Sequence, residues 1–177
     1  MFLPSGIGTS PAWLEVLRVL DAYRGEKETL FSGDTLIFDQ GVRVRTLWPF
    51  PRSDLESNNL STVLRVEYQG HRLLLTGDIE EEAERGILAS GLQPSADLLK
   101  VAHHGSRTSS GLPFLAAVAP RWAVISCDST VYGHPHAEAV ADLSLIIGDS
   151  ARILRTDREA TIGFELDELG VRRVGVP

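Results

Sequence analysis

Three apolar runs in this chain each lead into a short polar motif, and that pattern restricts the fold more than any other feature. The motifs are Leu73-Leu-Leu-Thr-Gly-Asp78, Leu98-Leu-Lys-Val-Ala-His-His-Gly-Ser106 and Tyr132-Gly-His-Pro-His136. Apolar runs of this length, closed by glycine and polar residues, read as buried strands. Their polar motifs then collect at strand ends. Four of the five histidines and one carboxylate sit there, which is the chemistry of a metal or phosphoryl-transfer site.

The rest of the pattern divides into two regimes. Thr35–Phe38, Val42–Trp48, Thr62–Tyr68 and His71–Thr76 read as successive strands, with Gln40-Gly41 and Gln69-Gly70 as hairpin turns. After Asp78, strands and helices alternate. Ile79–Leu88, Leu112–Val118 and His136–Ile147 read as helices. Leu98–Ala102, Trp122–Ser126, Arg152–Arg155 and Thr161–Leu166 read as strands, with a last hairpin arm near Val171. An antiparallel meander followed by this alternation predicts a layered α/β fold, a mixed sheet with flanking helices. Ahead of it, Met1–Ser10 reads as an irregular lead-in. Pro11–Tyr23 then reads as an amphipathic helix capped by Ser10, with Trp13, Val16, Leu17 and Leu20 as its core stripe. The expected division is therefore residues 1–10 as lead-in and 11–177 as one domain.

Composition supports a single packed domain and narrows the partners. The 177 residues are 43% hydrophobic and 23% charged, enough apolar content for a core. A net charge of −7 excludes a uniformly basic nucleic-acid-binding surface, though a divalent ion supplies positive charge locally. The single cysteine, Cys127, has no internal disulfide partner. It reads as a small apolar group. No apolar run approaches the length of a membrane span.

Each candidate residue carries a bland reading beside its functional one. Asp78 is either the N-cap of the following helix or a metal-bridging carboxylate, and a cap leaves one oxygen free. His103 and His104 are adjacent, so their rings point different ways and one of them ligates while the other orients substrate. The Ser106 hydroxyl is placed to bind a phosphate oxygen. His134 and His136 flank Pro135 in an extended segment, which puts both imidazoles on one side. Lys100 either snorkels from an apolar strand or pairs with phosphate. Glu80–Glu82 read as a solvated helix face, and His71 as a solvated hairpin residue.

In order and spacing, Asn58-Asn-Leu-Ser61, Leu74-Leu-Thr-Gly-Asp78, Leu99–Ser106, Tyr132–His136 and Leu154-Arg-Thr-Asp157 resemble one known domain. It is the metallo-β-lactamase-like domain at the C-terminal end of ComEC-type DNA-internalisation competence proteins. The resemblance runs from about Gly33 to the end of the chain. It implies an αβ/βα sandwich holding one or two divalent metals, zinc or manganese. Metal ligation falls to Asp78 and to His103 or His104, with Asn58, Asn59, Ser61 and Lys100 lining the site. His134, His136 and Ser106 lie beside the scissile phosphate. The implied activity is metal-assisted hydrolysis of a phosphodiester, with single-stranded DNA as substrate. The implied setting is fusion to a membrane channel, on the extracytoplasmic face.

The sequence departs from that family at one point. The family's first ligand cluster is a histidine- and aspartate-rich run, and no histidine precedes His71. The expectation is a partial domain that lacks its N-terminal half, binds metal weakly or not at all, and shows little or no catalysis alone. Its uncovered apolar surface favours self-association. Two other readings stay open: a standalone metallo-hydrolase of a small phosphoester completed by another chain, and a non-catalytic structural or binding module.

Overall fold

The computed structural model describes residues 2–3, 11–26, 28–51, 58–131 and 133–176. Most of the lead-in, Ser10, the middle of the polar loop before Asn58, and Tyr132 lie outside them. Phe2–Leu3 (β1) pairs in parallel with Glu28–Thr29 (β2).

A seven-stranded sheet organises the rest, and its spatial order is its chain order. Its strands are Thr35–Ile37 (β3), Arg43–Trp48 (β4), Val63–Tyr68 (β5), His71–Leu75 (β6), Leu98–Lys100 (β7), Trp122–Ile125 (β8) and Ile153–Arg155 (β9). The first four are antiparallel neighbours. The Gln69-Gly70 turn between β5 and β6 has positive φ at both residues (50° and 82°), the conformation a two-residue hairpin of matching twist requires. From β6 onward the pairing is parallel, so each connection has to cross over the sheet.

Those crossovers carry Glu81–Ala89 (α2), Leu112–Val118 (α3) and Ala137–Ile147 (α4). Right-handed crossovers between sequential strands put all three helices on one face. In keeping with that, α3 packs against both α2 and α4. Alternation along the strands sends Leu74, Leu99 and Ala123 to the helical face. There they join Ile79, Ile87, Phe114, Leu115 and Leu143 in the core. Their neighbours Leu73, Leu98 and Trp122, in register across three strands, point to the opposite face. A hairpin of Gly163–Asp167 (β10) and Gly170–Val174 (β11) packs there, Phe164 standing edge-on to Trp122 at 5.5 Å.

The mixed α/β sheet with flanking helices is the expected architecture, and it is consistent with an αβ/βα sandwich. Two local expectations are corrected. Pro11–Ala22 (α1) is helical, but the described part of its stripe is not core: Val16 is 42% exposed and Leu17 and Leu20 are only half-buried, while the Trp13 side chain lies outside the described residues. Periodicity marks which face is apolar and not what covers it. A short helix at Thr156–Glu159 (α5) follows β9 where the sequence gives no periodic signal.

Candidate functional site

The carboxyl ends of β6, β7 and β8 lie side by side, and open sheets place ligands at such ends. Past β6, Thr76-Gly77-Asp78 turns sharply. Gly77 has φ +57°, and a Cβ there would sit 2.7 Å from the Cβ of Ser61. The Asp78 backbone N–H donates to Ser61 Oγ at 3.1 Å. The carboxylate is half-buried and left free of capping duty. Helix α2 begins at Glu81, and Asn59 supplies its cap from another part of the chain. Asn59 Oδ1 accepts from the N–H of Glu80 (2.9 Å) and of Ala83 (3.4 Å). The cap reading of Asp78 is thereby replaced: a residue 19 positions upstream does that work.

Past β7 the backbone winds left-handed for three residues, His103 (φ 46°), His104 (φ 55°) and Gly105 (φ 81°). Each such non-glycine residue costs on the order of 1–2 kcal/mol, and strain of this kind clusters at functional sites. The turn parts the two rings. His104 Nε2 lies 3.5 Å from Asp78 Oδ1, while His103 Nδ1 lies 3.3 Å from Glu80 Oε1 without hydrogen-bond alignment. The His103 backbone N–H donates to the Gly77 carbonyl, tying the two strand ends together.

The His104 ring is oriented from behind. Its Nδ1 lies 2.6 Å from the Ser126 carbonyl oxygen at the end of β8. A carbonyl only accepts, so Nδ1 carries a proton, and the ring turns Nε2 toward the Asp78 carboxylate. Two ligands each about 2.1 Å from one tetrahedral ion stand roughly 3.4 Å apart, so the donor set fits two ligands of a divalent metal. A histidine whose other nitrogen donates to a carbonyl is also the usual second interaction of a metal-bound imidazole. Among the described residues no group of three or more His, Cys, Asp or Glu side chains converges to hold an ion. The pair is a half-site.

The third motif folds over the second. The His134 ring lies 5.7 Å from that of His103 and 4.8 Å from that of His136. The His136 N–H donates to the Gly105 carbonyl, and His136 Nδ1 accepts from the Arg107 N–H at 3.3 Å. Contact is close enough that a Cβ on Gly105 would lie 2.6 Å from Pro135 Cβ. Burial, then the neighbouring His136, His103 and His104, holds the His134 imidazole below its ordinary pKa.

Lys100 ends on the same rim, its Nζ donating to the Gly77 carbonyl at 3.1 Å and lying 3.9 Å from Asp78 Oδ1. Burial lowers its pKa and Asp78 opposes that. Three polar residues hold the frame of the site. Ser106 is 4% exposed and its hydroxyl meets Thr108 Oγ1 inside the loop. Asn59, also 4% exposed, caps α2. Asn58 Nδ2 reaches Glu80 Oε1 at 3.5 Å. Glu80 also accepts from Thr108 Oγ1 at 2.9 Å, so it belongs to the site and not to a solvated face.

Sequence reasoning missed Glu84. It is 3% exposed on α2 and accepts the backbone N–H groups of Ser110 and, at 3.0 Å, Gly111. Burial pushes its carboxyl up to about 7, against the pull of those two N–H groups. With Ser109 Oγ donating to the Ile79 carbonyl and the Glu81 N–H donating to the Thr108 carbonyl, it staples the loop after the histidine turn onto α2. The available signal was its place on the apolar side of α2, four residues after Glu80 and three before Ile87.

The geometry defines an α/β protein with a His/Asp pair at the carboxyl ends of three parallel strands. No protein-family model matches the sequence. The chain is 33% identical to ComE operon protein 3 of Bacillus subtilis (strain 168), over 93% of this chain and 21% of that protein. It is 37% identical to competence protein ComA of Neisseria gonorrhoeae, over 75% of this chain and 19% of that protein. Over 49% of its length it is 43% identical to the uncharacterized protein YcaI of Escherichia coli (strain K12). The chain belongs to the ComEC-type competence protein family. It spans about a fifth of the length of the first two relatives, and among the described residues no helix is long and apolar enough to cross a membrane.

Proposed function

We propose that this chain is the metallo-β-lactamase-like part of a DNA-uptake protein, acting as a metal-dependent phosphodiester hydrolase on single-stranded DNA. The observation that carries the reading is the pairing of Asp78 Oδ1 with His104 Nε2 at 3.5 Å, the ring oriented from behind by the Ser126 carbonyl. Relatives named for competence support DNA as the polymer, and their greater length supports attachment to a membrane channel.

In this reading Asp78 and His104 hold a zinc or manganese ion, which supplies Lewis-acid stabilisation of the charge that develops on a phosphoryl oxygen. Ser126 keeps the His104 lone pair aimed at that ion. Lys100 anchors the Gly77 turn from which Asp78 projects. His134 and His136, stacked over the turn, offer ring N–H groups to a phosphate oxygen or a leaving group. Two protein ligands are one short of the three that catalytic zinc sites use. The site is therefore completed by ligands beyond the Asp78–His104 pair, and the chain alone turns over weakly or not at all.

Calorimetric titration of the chain with zinc and with manganese tests this, alongside strand cleavage assayed on single-stranded DNA. The expected result is binding lost in Asp78→Ala and in His104→Ala but kept in His103→Ala, with little cleavage. Absence of binding in the unsubstituted chain overturns the metal reading. Robust cleavage abolished by Asp78→Ala overturns the claim that the site is half complete.

A further inference from the structure

A cavity of about 260 Å³ adjoins the half-site, and the described residues lining it are His104, Ser126, Cys127, Asp128, Val131 and His134. It is smaller than the roughly 300–1,000 Å³ pockets that take a whole drug-sized ligand, so it suits one ring system. His104 belongs to both places: its Nε2 faces Asp78, and its ring is part of the cavity wall. Whatever fills the cavity is joined directly to whatever is held at Asp78 and His104.

The walls select the occupant. Among the described lining residues there is no lysine or arginine, so none of them offers a phosphate a fixed cation. Two imidazoles, a valine side chain and a thiol offer flat or apolar contact, which is how proteins hold an unstacked base. The thiol wall is held firmly. The Cys127 N–H donates to Thr156 Oγ1, that hydroxyl also meets the Cys127 carbonyl, and Cys127 Sγ donates to Asp157. One anion lines the cavity, Asp128, and Thr130 fixes it by donating from both its N–H (2.9 Å) and its hydroxyl (2.6 Å) to Oδ1. A fixed carboxylate accepts from an exocyclic amino group or from a ring N–H, and every base carries at least one of these.

We propose that this cavity is a subsite for one unpaired nucleobase, attached to the phosphodiester held at Asp78 and His104. The subsite rests on the phosphodiester reading for what it serves, and it extends that reading from the phosphate to the base. It makes the strand-end cluster a reader of single strands, because a base paired in a duplex cannot enter.

Cys127 is the single cysteine and lines the cavity, so its alkylation by iodoacetamide, followed by mass spectrometry at mildly alkaline pH, reports occupancy. The probes are deoxyadenosine 5′-monophosphate, thymidine 5′-monophosphate and deoxyribose 5-phosphate. At twice its dissociation constant the adenine nucleotide slows alkylation about threefold. The thymine nucleotide, whose ring N–H also donates, protects as well, and the sugar phosphate does not protect. Asp128→Ala weakens protection by either base, and Val131→Trp, at a position 59% exposed and so tolerant of bulk, removes it. Equal protection by the sugar phosphate overturns the proposal, as does absence of protection. The readouts separate the two claims. If no metal binds but adenine protection persists, the phosphodiester reading fails and the base subsite stands. If metal binding is intact and no nucleotide protects, the subsite alone fails.

Discussion

Glu84 accepts the backbone N–H of Gly111 at 3.0 Å, so a carboxylate on one crossover helix holds the first residues of the next. The same carboxylate takes the Ser110 N–H, and Ser110 has φ 61°, a conformation a non-glycine residue keeps only when its surroundings hold it there. The consequence is a pH dependence. Glu84 has its folded pKa raised to about 7 by burial, against an ordinary 4.5. Between those values the folded chain binds more protons than the unfolded one, so this group's contribution to stability is full below about pH 4.5 and is lost as pH rises through 7. The change is at most about 3 kcal/mol. Urea unfolding at pH 5 and pH 8 should show the native chain losing stability relative to Glu84→Gln, which has no charge to bury. Parallel pH profiles for the two proteins would falsify this account.

Asp78→Asn removes the charge at the half-site and keeps its shape, so the metal-free variant should stay within about 1 kcal/mol of the parent. Its melting temperature should no longer respond to zinc. A variant that is clearly destabilised without metal would mean that a proton already bridges the pair.

Gly105→Ala tests the seat of the third motif on the second. The new Cβ meets Pro135 at 2.6 Å in a backbone at φ +81°. Overpacking and left-handed strain together should cost about 2–4 kcal/mol, read as a lowered denaturation midpoint. Gly133→Ala, also at positive φ but with nothing within 4 Å, should cost only the conformational part, about 1–2 kcal/mol.

Asn59→Ala removes the remote cap from α2 and leaves the buried N–H of Ala83 unsatisfied. A loss of about 1–3 kcal/mol is expected. Asn58→Ala, which gives up one 3.5 Å contact, should stay within about 0.5 kcal/mol. Thermal melts of the two neighbours side by side decide whether capping belongs to Asn59.

Period-2 and period-3.6 patterns placed nearly every strand and helix from Thr35 onward, because those elements bury one regular face. Leu112–Val118 begins and ends where its apolar run does. Periodicity misread α1, since an apolar stripe says that a surface is wanted without saying that one is present. The polar residues were harder to read. Ser106, Asn58 and Asn59 share composition with ligand-binding residues, and only the folded geometry shows them bonded to Thr108 and to the Asp78–Glu84 segment. Glu84 left only its place on the apolar side of α2 as a trace, because its partners belong to a loop 26 residues further along the chain. The separation of His103 from His104 followed from adjacency. Which of them faces Asp78 depended on where β8 ends.

A sheet whose spatial order is its chain order also has a route to assembly. Each strand of this sheet pairs only with its sequence neighbours, so no pairing closes more than the single connection between consecutive strands. Growth can proceed from the β5–β6 hairpin outward, one crossover at a time, in the order in which a ribosome delivers the strands. The bonds that join the Asp78 turn to the histidine turn and to the Ser126 carbonyl wait for β7 and β8. The half-site is therefore among the last features to form, and the nascent chain has its framework in place before its chemistry.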